Sequence, residues 1–424
     1  MRVLPSRAAA WAAPAAAIAA FLASAAYLAG SGAQAGPLIL AVLALPVLAY
    51  AVIAGAARSR APEDFLVAGR TVGALPNGMA TAADWLSTAM VVGLAGTLYV
   101  QGGGGLAFIA GWAGGLALAA FVVGPGLRRS GAASVPDFLA ARFGGTVVRV
   151  AAVAVLVWCS FAVLMAQLAG VGAVATRLLG IPFAPAVWLG ALVVLACTLP
   201  GGLRSVTWTQ VAQYAAIATA FLLPAAVIWA SGPDLAAPLG AATAEPSGDA
   251  RSPLNAAALA ASLALGTAAL PHLLQRFLAA PSPASARRAG IWALVFVLAI
   301  YLAAPIYAGL ARTGIEGSVV GARVDTLEAA RSLPRWVYDF GRQGLVAVCG
   351  SPPSTAGAVM DACGTAGAGT LGPRDVVIHP DLVVVAAPDM AGLSPVFGAV
   401  IAAGVLAAAL STASGLLATL GTAA

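Results

Sequence analysis

Residues 77–96 read Asn77-Gly78-Met79-Ala80-Thr81-Ala82-Ala83-Asp84-Trp85-Leu86-Ser87-Thr88-Ala89-Met90-Val91-Val92-Gly93-Leu94-Ala95-Gly96. The run is apolar enough for a membrane helix, yet its centre holds a carboxylate among small and hydroxyl residues. An ionisable side chain in hydrocarbon is costly, so Asp84 is a functional candidate by default. The alternative is a protonated or hydrogen-bonded Asp that joins two helices. The whole chain supports a bilayer. Of its 424 residues 61% are hydrophobic and only 8% charged, with a mean hydropathy of +0.96. A soluble domain carries about 25% charge and about 45–50% apolar residues, so this chain cannot coat a water-facing surface. The 49 Gly and 27 Pro do not imply disorder, which goes with low hydrophobicity, whereas membrane helices tolerate both residues. There is no Lys, and the net charge of +6 rests on Arg alone. That charge reads as topology, and nucleic-acid binding, fibrous structure and soluble catalysis are excluded.

A crossing needs about 20 apolar residues. Ten stretches qualify, near 9–29, 37–56, 74–99, 105–125, 146–177, 184–200, 206–231, 254–279, 288–312 and 394–422. With a cytoplasmic N-terminus, one side carries Arg2, Arg7, Arg58, Arg60, Arg70, Arg128, Arg129, Arg142, Arg149, Arg204, Arg276, Arg287 and Arg288. The short loops of the other side hold Arg177 and Arg251. This asymmetry orients an inner-membrane or plasma-membrane protein and puts the long loop 313–393 outside. Residues 1–36 read equally as an extra helix or as a signal peptide ending at Ala33-Gln34-Ala35-Gly36. The loop contains a β-prone stretch from Val376 to Val385, and Cys349 and Cys363 in it are a possible disulfide if that face is oxidising. No Cys or His spacing resembles a transition-metal site.

All other acidic residues fall in loops, so Asp84 alone lies within a span. No Arg lies inside a span away from its ends. The last span carries Ser411-Thr412-Ala413-Ser414-Gly415. Such hydroxyls ligate a cation, or merely bond back along the helix and join it to a neighbour. In Gly266-Thr267-Ala268-Ala269-Leu270-Pro271-His272, Pro271 removes a backbone donor and makes a helix break. The third and eighth spans each begin a five-helix unit, and interrupted helices at matching positions of inverted units point to a transporter site. Gly266 and Thr267 are therefore candidate substrate contacts, and Gln167 in the fifth span is another, with a bridge between helices as its alternative. His272 reads as a polar group near the inner boundary. Only His272 and Asp84 could serve as acid and base in the membrane, and neither lies in a nucleophile motif, so an enzyme is disfavoured.

At these residues the chain resembles the sodium:solute symporter family, its acetate-permease-like branch in particular. The likeness is carried by Glu63 to Arg70, Asn77 to Gly96, Val135-Pro136-Asp137-Phe138-Leu139 with Arg142, Gly201-Gly202-Leu203 with Thr207-Trp208-Thr209-Gln210, Leu270 to Phe277, and Ala408 to Ser414. It implies an all-α, leucine-transporter-like inverted-repeat helix bundle, with residues 74–231 as the first repeat. The third span would be core helix one and the last, 394–424, core helix eight. Core helices nine and ten would be missing, as in an incomplete copy. By position, the resemblance implies a sodium site formed by the carbonyls of Ala82, Trp85 and Ala408 and the hydroxyls of Ser411 and Thr412. Asp84 matches an acidic position linked to sodium. Gln210 stands where other branches carry an Asp tied to a second ion, which implies one sodium per substrate.

The expected activity is secondary-active, sodium-coupled import of a small organic anion such as acetate. No cofactor is implied beyond Na+ as coupling ion, and the partners are the lipid bilayer and the solute. With no Arg deep in a span, sodium and the positive ends of broken helices would neutralise the anion. A small neutral solute such as an amino acid, or a sensory domain that binds without translocating, are the alternatives.

Overall fold

The computed structural model describes residues 35–179, 181–231, 240, 252–365, 367 and 369–423. The expected first span at 9–29, and residues 1–34 on which the leader reading rests, lie outside them. In hydrocarbon every backbone N–H and C=O must be satisfied within the chain, so the apolar runs become helices. They are α1 (Ala35–Ala56), a short α2 (Pro62–Val67), α3 (Ala74–Trp85) and α4 (Thr88–Gln101). Next come α5 (Leu106–Leu118), which passes through a π turn at Ala119–Val123 into α6 (Gly124–Arg129), and α7 (Val135–Phe143). The long α8 (Thr146–Leu179), α9 (Phe183–Thr198) and α10 (Leu203–Ser231) follow. After them come α11 (Pro253–Ala268), α12 (Pro271–Leu278), α13 (Pro283–Tyr301) and α14 (Ala304–Ser318).

Five stretches among the described residues are long and apolar enough to cross a membrane: Thr88–Arg129, Thr146–Thr176, Leu203–Ala230, Pro283–Ile315 and Pro395–Ala423. The pair α11 and α12, bent by 47°, makes a sixth, while Ala44–Ala56 and Phe183–Thr198 are shorter. The first of these stretches is not one rod. Gly102 takes φ +56°, a value a side chain resists, and a Cβ on Gly105 would lie 3.3 Å from Leu98 Cα. The chain therefore turns back between α4 and α5.

The segment expected as a long loop is instead a folded body. It contains α15 (Leu327–Arg331), α16 (Arg335–Gly341), β1 (Val346–Val348), α17 (Ala356–Thr365), β2 (Val376–Ile378) and α18 (Leu382–Met390). The strands pair antiparallel with Ala347 opposite Val377. The β-prone run keeps strand geometry for three residues only. Beyond Pro380 it winds into α18, whose Leu382, Val383 and Val384 are buried. Trp336, Val337, Val346, Val348 and Ile378 form a core separate from that of the bundle. A disulfide between Cys349 and Cys363 staples α17 to the strands.

The last helix, α19 (Pro395–Ala423), runs through the middle of the bundle. It packs on α10, α8, α1 and α3, and small residues let the backbones approach. A Cβ at Gly404 would stand 2.2 Å from Ala220 Cβ. Opposite in character, α8 turns Val155, Trp158 and Phe161 outward, the apolar surface a bilayer covers. In α19, Gly404→Val should cost about 1–3 kcal/mol through overpacking. Gly398, with open space beside it, should accept Ala without loss. Thermal unfolding in detergent checks both.

Candidate functional site

The helix stops at Trp85 without Gly or Pro. Leu86 has φ −72° and ψ 67°, an inverse γ-turn, in which Ser87 N donates to Trp85 O at 2.7 Å. Leu86 N donates to Ala82 O at 2.8 Å. Extended Ser87 then caps α4, its hydroxyl accepting from Met90 N, as an N-cap Ser does. The next free donor, Thr88 N, points to Gln167 Oε1 of α8 at 3.4 Å. A polar joint is thus built from a Ser-Thr pair in the middle of an apolar column.

Helix α19 closes over this joint. Ser411 Oγ lies 2.6 Å from Ala83 O and 2.9 Å from Ala408 O, able to donate to either. Thr412 Oγ1 donates to Asp84 O at 2.9 Å. Gln210 Nε2 of α10 donates to Ser411 O at 2.8 Å. Both hydroxyls are buried. Three carbonyls and two hydroxyls therefore converge where α3 ends. The hydroxyls meet the carbonyls of Ala83 and Asp84, whereas those of Ala82 and Trp85 serve Leu86 N and Ser87 N. Each carbonyl keeps a second lone pair.

The Asp84 carboxylate lies against Gly415, one turn beyond these hydroxyls, and faces a cation. Its Oδ2 accepts from Arg276 Nε at 3.0 Å, with the two side chains 0% and 1% exposed. Arg276 Nη1 donates to Thr207 Oγ1 of α10 at 3.0 Å, and the Arg276 carbonyl accepts from Asn77 Nδ2 of α3 at 3.0 Å. This corrects the placement of Arg276 among the arginines of the inner boundary: it stands near the end of its stretch, yet its side chain is buried in the bundle. Leu270, pushed to an extended conformation by the following Pro271, ends α11. The bend swings α12 onto α3 and α19, and residue 276 enters the bundle instead of the boundary. Gly415 provides the room. A Cβ there would lie 2.0 Å from Asp84 Oδ1. The signal that points to Arg276 is the need of a buried Asp84 for a counter-charge, combined with an Arg on the other interrupted helix.

The expected substrate contacts do not come together. Gln167 is buried at the joint, 3% exposed. Thr267 faces α5, where a Cβ on Gly115 would touch its side chain at 2.4 Å, and Gly266 is exposed with open space beside it. Two unforeseen aromatics flank the joint instead. Trp85 Nε1 donates to Tyr301 Oη at 2.7 Å, and Trp112 meets Trp85 edge-on at 6.3 Å between centroids.

A model of the sodium:solute symporter family matches residues 65–349. An uncharacterized symporter of Cupriavidus necator is 46% identical over 192 residues, 44% of this chain and 28% of the relative. An uncharacterized symporter of Bacillus subtilis is 29% identical over 232 residues, 52% of this chain and 45% of the relative. The matched stretches thus span less than half the length of either relative. A solved Na+-coupled sialic acid symporter, substrate-bound and outward-open, superposes with a TM-score of 0.63 at 16% identity, covering 91% of this chain and 72% of that one. At that identity the likeness carries the fold, a leucine-transporter-like helix bundle.

Removing one member of a buried ion pair strands the other. Arg276→Ala or Asp84→Asn alone should therefore destabilise the protein by about 3–5 kcal/mol, read from thermal unfolding in detergent. Gly415→Ala, which displaces the carboxylate without touching either charge, should also lower the midpoint.

Proposed function

The chain belongs to the sodium:solute symporter family, and from that premise we propose that it is a sodium-coupled importer of a small monocarboxylate of the acetate type. The observation that carries this reading is the joint of carbonyls and hydroxyls between the interrupted helix α3–α4 and α19. A hard cation prefers oxygen ligands, and broken helices in transporters expose carbonyls for the coupling ion. Sodium would take the carbonyls of the α3 end, from Ala82 to Trp85, with that of Ala408 and the oxygens of Ser411 and Thr412. Ser411 has a ready alternative acceptor in Ala408 O. Its proton can turn there and leave Ala83 O and its own lone pair to the ion.

The solute's carboxylate would meet the N-terminal turn of α4, where the helix dipole is positive. There Thr88 N makes only a long bond to Gln167, which an anion can replace. Arg276 contributes little attraction, because Asp84 already cancels its charge. The arginine asymmetry supports an outer position for the folded segment between α14 and α19, and an inward sodium gradient would drive import. Solute would enter on the side of that segment.

Labelled acetate uptake into proteoliposomes should rise with an inward sodium gradient and fall to background when choline replaces sodium. Equal uptake in both salts would reject the coupling. Ser411→Ala with Thr412→Ala removes two ligating hydroxyls and should raise the half-saturating sodium concentration by about tenfold or more.

A further inference from the structure

Asp84 combines two attachments in one residue. Its backbone carbonyl accepts from Thr412 on α19, while its carboxylate is held by Arg276 on α12. Arg276 is itself tied to α10 through Thr207 and to α3 through Asn77. Five elements of the site are thus connected through one ion pair: α3, its break, α10, α12 and α19. The second carboxylate oxygen, Oδ1, has no hydrogen-bond partner among the described residues and lies against Gly415, on the side of α19 that follows Ser411 and Thr412. The geometry is that of a fastening.

We propose that Asp84 is a positioning residue clamped by Arg276, and that this clamp, rather than a carboxylate–sodium bond, holds the carbonyls of Ala83 and Asp84 against Ser411 and Thr412. The inference rests on the sodium reading above and specifies the part that the acidic residue plays in it. Charge supports it, since carboxylate and guanidinium together are neutral and a sodium ion drawn to Oδ2 would face the Arg276 cation at hydrogen-bond distance. The ion site is then built of neutral oxygens. Its assembly depends on the second interrupted helix, because a displacement of α12 pulls on the residue whose carbonyl faces α19. Arg276 thereby links the two interrupted helices, one carrying the ion site and the other the clamp.

The test is a double-mutant cycle on the purified full chain, with two readouts: the thermal midpoint, and the sodium concentration giving half of the sodium-dependent rise in that midpoint. Asp84→Asn and Arg276→Gln should each lower the midpoint and shift the sodium response by about tenfold or more, and the double variant should return to within about threefold of the wild-type response. Arg276→Lys, which keeps the charge, should recover most of what Arg276→Gln loses. A folded double variant without a sodium response would overturn the proposal, because the carboxylate would then be acting on the ion itself. Additive effects on the midpoint would also overturn it, since no clamp would couple the two residues. A wild-type protein that shows no sodium-dependent rise would reject the sodium site, leaving coupling in the midpoint as the separate measure of the clamp. If the single variants cannot be recovered folded, the double variant against wild type decides by the same sodium criterion.

Discussion

A helix that stops inside an apolar bundle leaves N–H and C=O groups that water cannot reach, and the protein must supply their partners. That constraint organises the molecule around Trp85-Leu86-Ser87. A γ-turn satisfies Ser87 N, a serine cap satisfies Met90 N, and Gln167 reaches Thr88 N from α8. The carbonyls left over at the end of α3 receive Ser411 and Thr412 from α19. The groups that satisfy the break are oxygen-rich and neutral. The oxygens that satisfy this interrupted backbone are the ones on which the proposed cation site rests.

The charges follow a second constraint. A carboxylate and a guanidinium that are both almost fully buried would each be prohibitive alone, and together they are tolerable only with further hydrogen bonds. Thr207 provides one on the guanidinium, Asn77 fixes the arginine's backbone by donating to its carbonyl, and Gly415 makes the space on the aspartate side. The pair ties the two interrupted helices to each other, so local order at the first break depends on the position of the second. His272, one turn before Arg276, is also buried and within electrostatic reach of Asp84. The short helix that starts at Pro271 thus brings both His272 and Arg276 to Asp84.

The body between α14 and α19 has its own apolar core and its own covalent staple. It is also attached to the site's helices. The carbonyl of Pro380 sits so close to Gly96 that a Cβ there would lie 2.6 Å away, and α18 packs on α4, α14 and α19. The Gly96 part of α4 is therefore in direct contact with this body, while the polar joint lies further along the same column.

Hydropathy and the scarcity of charge settled the medium and the helical class, because both are sums over a segment and need no partner. Pro271 announced the second interruption for a local reason, the loss of a backbone donor. Asp84 marked itself by being the one acid in a span, and the hydroxyls of α19 were visible as a cluster. What Asp84 binds was not legible. Arg276 sits 192 residues away near the end of a stretch, where an arginine ordinarily reaches the interface. Only the direction taken by the chain after Leu270 turns it inward. The same holds for Thr267, which residue type alone could not place and which the rotation of α11 sends to α5. Local composition determines whether a segment enters the bilayer. The pairing of its polar groups depends on bends and crossing angles, and those are set by the packing of the whole bundle.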